Sequence, residues 1–208
     1  MRKRGDTPVP GKQRTGVWFA IGLLGLQLSG SLLAVADSKD GVFPSADQVG
    51  GQVYPEGIKV GDAFPTDIDF YDADGKKVDF GKVIQGKRTV VAFFISAAPV
   101  SVNELRKLQD FVKKQAPGVQ ILNVNADTVG VALEHTNPIA STAKTLKVIK
   151  KEQGLTNPMY IAPNDALSPS GLSNRVGFRG LPTIFVLRAD GKVEKVFVGP
   201  QQWKRGDI

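Results

Sequence analysis

The chain has 208 residues, 41% hydrophobic, 8% aromatic and 23% charged, which supplies one sizeable core and excludes a globally disordered polypeptide. It contains no cysteine, which excludes disulfides, thiolate nucleophiles, cysteine-ligated zinc and iron–sulfur clusters; with one histidine, His135, no metal site is expected. The formal net charge is +7, but Arg2, Lys3, Arg4, Lys12 and Arg14 against Asp6 place +4 of it before residue 16. The excess is therefore a tail, with no basic stripe of interleaved aromatics behind it, and no nucleic-acid partner is expected.

Residues 1–15 read as a basic cytoplasmic tail. From Thr15 to Ala36 there is no charge, and a helix needs about 20 residues to cross the hydrocarbon core. Segment 16–36 therefore reads as a transmembrane anchor or a signal segment. Its length and Trp18, suited to an interfacial position, favour an anchor; Ala34-Val35-Ala36 before Asp37 has the form of a cleavage site. We expect a retained single-pass anchor in the cytoplasmic membrane, the alternative being secretion after cleavage following Ala36. Either way the positive flank keeps the N-terminus inside and sends the rest to the periplasm or its equivalent. Residues 37–56, with Pro44, Gly50-Gly51 and Pro55, read as a linker, and residues 57–208 as the folded domain.

GIKVGDAFPTDIDFYDADGKKVDF alternates apolar and polar residues around Asp74-Gly75, a hairpin signal. After Lys87-Arg88, TVVAFFIS is a near-continuous apolar run, as in a strand covered on both faces. In VSVNELRKLQDFVKKQ, Val102, Leu105, Leu108 and Val112 recur at helical spacing, and Pro117-Gly118 closes the helix. VQILNVNAD is a second buried-type strand. Thr128 to Thr142 has no clear period, contains Asn137-Pro138 and reads as an insertion loop. A helix is expected from Ala143 to Gln153, ended by Gly154. MYIAP and a polar turn region lead to TIFVLRADGKVEKVFVG, two alternating runs about Asp190-Gly191. The order strand–helix–strand–helix and a terminal hairpin implies an α/β sandwich with a mixed sheet.

Taken together, VGDAFPTDIDFYDADGKKVDF, GKRTVVAFFIS and GFRGLPTIFVLRADGKVEKVFVGP resemble the TlpA/ResA-like branch of thioredoxin-fold (redoxin) proteins. The resemblance covers about residues 57 to 200 and implies a thioredoxin-like three-layer sandwich with a mixed central sheet, preceded here by an N-terminal transmembrane helix. Members of that branch are typically membrane-tethered, face the periplasm, and reduce or exchange disulfides. The resemblance also implies a cis peptide bond before Pro182, in a peptide-holding groove with Leu181 and Thr183.

The family's Cys-x-x-Cys pair falls on Ala98, Pro99, Val100 and Ser101. Exchange needs a thiolate at a helix N-terminus and a second thiol to resolve the mixed disulfide; alanine and serine supply neither. A fainter likeness to peroxiredoxins places their peroxidatic cysteine on Ser101, where again there is no thiol. As a hydrolase nucleophile Ser101 would need a base, and His135, flanked by Glu134 and Asn137 in the insertion loop, reads as a surface histidine. Ser101 itself reads as a small polar residue of a helix's first turn. Glu104 matches an acidic position of the family and is expected to pair locally, while Arg106, Lys107 and Lys113 read as a solvated face.

The expectation is a non-catalytic binding or structural subunit without a cofactor or metal. It would contact the lipid bilayer through its N-terminal helix and join a membrane protein complex of respiratory, photosynthetic or cytochrome-maturation type, or bind a periplasmic protein. Family members usually close with a helix after the strand matching KVFVGP, whereas here GPQQWKRGDI follows. That leaves a sheet face for a partner, with Trp203 as its anchor, unless Trp203 packs back on its own sheet. The alternatives are a TlpA/ResA-like thiol–disulfide oxidoreductase whose cysteines were replaced at Ala98 and Ser101, and a free periplasmic chaperone-like binder.

Overall fold

Strand β1 (Phe70–Asp72) turns back through Gly75 into β2 (Lys77–Val78), and Phe70 pairs with Val78 across the hairpin. Gly75 has φ +81°, the left-handed backbone such a tight turn requires. The alternation in the sequence carries the second strand on to Phe80, but the chain leaves the sheet earlier. Asp79 caps a short helix, α1 (Phe80–Ile84), its carboxylate accepting from the Lys82 backbone N–H at 3.2 Å. Phe80 is thereby rolled under the sheet, stacked on Phe70 at a ring-centroid distance of 3.9 Å.

This is a computed structural model describing residues 57–127, 138–163, 172–177 and 180–208. The basic tail, the anchor or signal segment, the linker and His135 lie outside the described residues. Among the described residues no helix is long and apolar enough to cross a membrane.

The remaining elements are β3 (Thr89–Phe94), α2 (Pro99–Gln115), β4 (Gln120–Asn125), α3 (Pro138–Glu152), β5 (Met159–Ile161), α4 (Leu172–Val176), β6 (Thr183–Leu187) and β7 (Val193–Val198). Helix α3 begins at Pro138, five residues before the expected start at Ala143. The Asn137-Pro138 signal, read as a loop, enters a helix instead, because proline's fixed φ and missing N–H suit a first helical turn. Helix α4 was hidden in the segment read as a polar turn region.

Among the described residues the strands form one sheet in the order β2-β1-β5-β4-β3-β6-β7. β3, β4 and β5 run parallel, while β1, β6 and β7 join antiparallel. The result is the mixed three-layer α/β sandwich expected from the sequence. Because side chains alternate along a strand, β3 feeds both cores. Val90, Ala92 and Phe94 face α2 and α3, against Leu105, Leu108 and Leu146. Val91 and Phe93 face α1 and α4, against Phe64, Phe80 and Val176. A Phe80→Ala change would cost about 3–5 kcal/mol through the cavity it leaves.

The segment entering the domain crosses α4 at Gly57 and Gly177. A Cβ on either would overlap the other's backbone, and Gly177 also has φ +81°. The close approach lets the Ile58 N–H reach the Val176 carbonyl at 3.3 Å.

Candidate functional site

The parallel pairing of β3 with β4 and the antiparallel pairing of β3 with β6 bring three chain segments to one end of the sheet. These are the β3–α2 junction, the residues after β4, and the entry to β6, where Phe93 pairs with Thr183. Ala98 and Ser101 thus share this end with the Leu181–Pro182 peptide, which is cis.

Ala98 is the N-cap of α2 and makes no side-chain cap; Pro99 follows in the first turn. Pro99 and Val100 are exposed, whereas Ser101 is fully buried. The Ser101 hydroxyl oxygen accepts from the Ile95 backbone N–H at 3.3 Å, and the Ser101 N–H donates to the Ala98 carbonyl at 2.9 Å. Among the described residues its hydrogen bonds are with backbone and none is with a base, and its side chain is closed off from solvent. A serine nucleophile needs an activating base and an exposed hydroxyl, and among the described residues Ser101 has neither.

Pro182 is buried and Leu181 half-buried. The Pro182 carbonyl accepts from the Gly199 N–H at 2.8 Å, and the Thr183 hydroxyl donates to the Gly180 carbonyl. Among the described residues the exposed side chains at this end include the small apolar Ala97, Pro99 and Val100, with Leu181, Ser96 and Asp127 half-buried.

A polar network that sequence reasoning missed ties the junction down. Asn125 donates to the Ser96 hydroxyl at 2.9 Å, the Ser96 N–H donates to Asp127 at 2.7 Å, and the Asp127 N–H returns to the Asn125 side chain at 3.0 Å. The only sequence signal was the pair of asparagines, Asn123 and Asn125, in an otherwise apolar strand. Each bond of such a closed set contributes about 1 kcal/mol.

One turn beyond Ser101, Glu104 is fully buried. Its Oε1 accepts from Trp203 Nε1 at 2.7 Å and from the Gln201 N–H at 3.3 Å, while Oε2 lies 3.8 Å from Lys107 Nζ. Burial raises the Glu104 carboxyl above its ordinary value, opposed by the Gln201 and Trp203 hydrogen bonds and the Lys107 charge. The Trp203 ring stacks on Phe111 of α2 at 5.7 Å and meets Phe197 of β7 edge-on at 5.2 Å. Ile208 enters the same core, and Lys195 donates to the Gly206 and Asp207 carbonyls. Residues 199–208 therefore form a strap over this face of the sheet, with Trp203 turned inward.

Among the described residues no group of three or more His, Cys, Asp or Glu side chains is placed to hold a metal ion.

A mixed sheet of this order, with a cis-proline beside the N-terminus of its first long helix, defines a thioredoxin-like protein. The Redoxin family model matches residues 59–208, and the chain belongs to the Redoxin family, as a variant in which no cysteine is present. No curated protein matches the sequence. Among solved structures, the fold is similar to the thioredoxin domain of a thiol-disulfide oxidoreductase from Bacteroides vulgatus, with 17% identity, a TM-score of 0.51, and coverage of 68% of this chain and 90% of that one. It is similar also to a thioredoxin-like protein from Porphyromonas gingivalis, with 18% identity, a TM-score of 0.51, and coverage of 67% and 82%. A thiol-disulfide isomerase from Corynebacterium glutamicum has 18% identity, a TM-score of 0.50, and coverage of 68% and 88%. At these identities the likeness is one of fold.

Proposed function

We propose that this redoxin is a non-catalytic, membrane-anchored subunit that binds a partner through the end of the sheet where its relatives keep their thiols. The observation that carries this reading is the Ala98/Ser101 pair. The scaffold and cis-proline remain, but one position has no reactive atom and the other is a buried hydroxyl held by a backbone N–H. Thiol–disulfide exchange has no chemical basis in a chain without sulfur nucleophiles. What remains is an exposed apolar rim, Ala97, Pro99, Val100 and Leu181, suited to packing against another protein. The uncharged stretch 16–36 behind a basic tail supports tethering at the cytoplasmic membrane with the domain outside. A membrane protein complex is the partner such an anchor favours.

Purification from native membranes, with mass spectrometry of co-purifying proteins and of this chain's own N-terminus, tests the proposal. An intact residue 1–36 segment and one assembly in fixed ratio would support it. Loss of that assembly in a Val100→Asp/Leu181→Asp variant that still folds would place the contact at the rim. A soluble chain beginning at Asp37 would overturn the anchored reading. Cysteine codons at positions 98 and 101 in the native gene would replace it with an oxidoreductase.

A further inference from the structure

Helices α2 and α3 cover the same face of the sheet, and Gln109 of α2 ties them by bonding to Gly154, Thr156 and Asn157 just past α3. Their buried sides are mostly apolar and face the sheet, so their outer sides form one surface. Read along either helix alone, the lysines are an ordinary solvated stripe. Side by side they become a field: Arg106, Lys113 and Lys114 on α2, with Lys144, Lys150 and Lys151 on α3. Lys204 and Arg205 of the strap, which packs on the same face, are exposed as well. Among the described residues none of these cations is held in an ion pair, whereas Lys107 and Lys147 on the same helices pair with Glu104 and Asp74; besides the buried Glu104, the carboxylates on these three segments are Asp110, Glu152 and Asp207. Elsewhere on the domain some cations are matched, Lys77 with Asp69, Lys82 with Asp79 and Arg175 with Asp67, and others, such as Lys76 and Lys87, are in no ion pair among the described residues.

We propose that this surface, formed by α2, α3 and the strap, docks on an anionic lipid bilayer. Three features choose a bilayer over other anionic partners. The cations are mostly lysines, compact point charges suited to a diffuse anionic plane and less to the bidentate recognition arginine gives. No exposed aromatic lies on the two helices or the strap, so base stacking and an aromatic interface anchor are both missing. Val148, 53% exposed, stands on the outer side of α3 with Lys144 one turn before it and Lys151 and Glu152 one turn after, an apolar side chain flanked by cations as at a membrane surface. The proposal needs only the folded domain. If the anchor reading also holds, the domain would lie down on the membrane that carries it.

The absence of cysteine makes the test direct, because a single cysteine carries a single label. Val148→Cys, and separately Val60→Cys on the segment packed against the opposite face, would each bear a fluorophore in the full chain. The chain is placed in nanodiscs of neutral phosphatidylcholine, or of phosphatidylcholine with phosphatidylglycerol, each containing a lipid-borne quencher. The expected result is about tenfold stronger quenching at Val148 in the anionic discs than in the neutral ones at ~0.1 M salt. Quenching should fall toward the neutral value at high salt and with Lys144→Glu/Lys151→Glu, and Val60 should not respond. Equal quenching of the Val148 probe in both discs, or an equal response at Val60, would overturn the proposal. Failure of the chain to remain in neutral discs would count against the anchor alone; binding of labelled chain to anionic over neutral vesicles would then decide the docking surface.

Discussion

Ser101 and Glu104 stand one turn apart on α2, and both are fully buried polar residues. Their environments differ in kind. Ser101 is satisfied by one local backbone N–H, six residues away in sequence. Glu104 holds a carboxylate in the core and reaches Trp203, 99 residues away. At the first position a hydroxyl is buried without leaving an orphaned polar group. At the second, a group costly to bury fastens the strap to α2. A site without thiols thus need not be a loosened one. One buried polar group is held locally, and the other ties two distant segments together.

The largest effect should come from breaking the fastening. Glu104→Ala strands the Trp203 N–H and the Gln201 N–H and leaves a void, costing about 3 kcal/mol in urea unfolding of the full chain in detergent. In a Trp18→Phe background Trp203 emission should shift to the red as the strap loosens. An unchanged spectrum would show that the strap is held by ring packing alone. Trp203→Phe keeps the ring between Phe111 and Phe197 but removes the N–H, and should cost about 1–2 kcal/mol. A double-mutant cycle of the two positions should give a coupling near 1–2 kcal/mol; strict additivity would break the pairing.

The pH dependence sharpens the contrast further. Because burial raises Glu104, the folded chain holds its proton more tightly than the unfolded chain, whose carboxyl titrates near ~4.3. Stability from this group is therefore highest below that value and falls as pH rises through the folded value. Asp67, Asp74, Asp79 and Asp190, all held low by their partners, act with the opposite sign. Subtracting the Glu104→Gln variant cancels them, so wild type should lose ground to Glu104→Gln as pH rises from 4 to 7. A flat difference would refute the assignment.

The smallest effects belong to the former redox position. Ser101→Ala leaves the Ile95 N–H without its acceptor and should cost about 1 kcal/mol. Ser101→Cys, close in shape, should cost less. A loss above about 3 kcal/mol on either change would mean that Ser101 carries more of the fold than its one hydrogen bond.

By itself the sequence determined the layers. The apolar runs at β3 and β4, the helical period of Val102, Leu105, Leu108 and Val112, and the Asp-Gly turns are local patterns, and local patterns specify which face of an element must be buried. Zero cysteine also settled, without any structure, that no thiol chemistry is available. The short helices α1 and α4 and the first turn of α3 escaped because a five-residue helix shows too little period, and because Asp79 and Pro138 read equally well as turn residues. Only the tertiary structure could decide the rest. Asn125, Ser96 and Asp127 converge through parallel strand pairing, Glu104 meets Trp203 across most of the domain, and two unremarkable lysine stripes merge when α2 and α3 pack on one face. Each depends on which strands become neighbours, a long-range choice that no window of sequence contains.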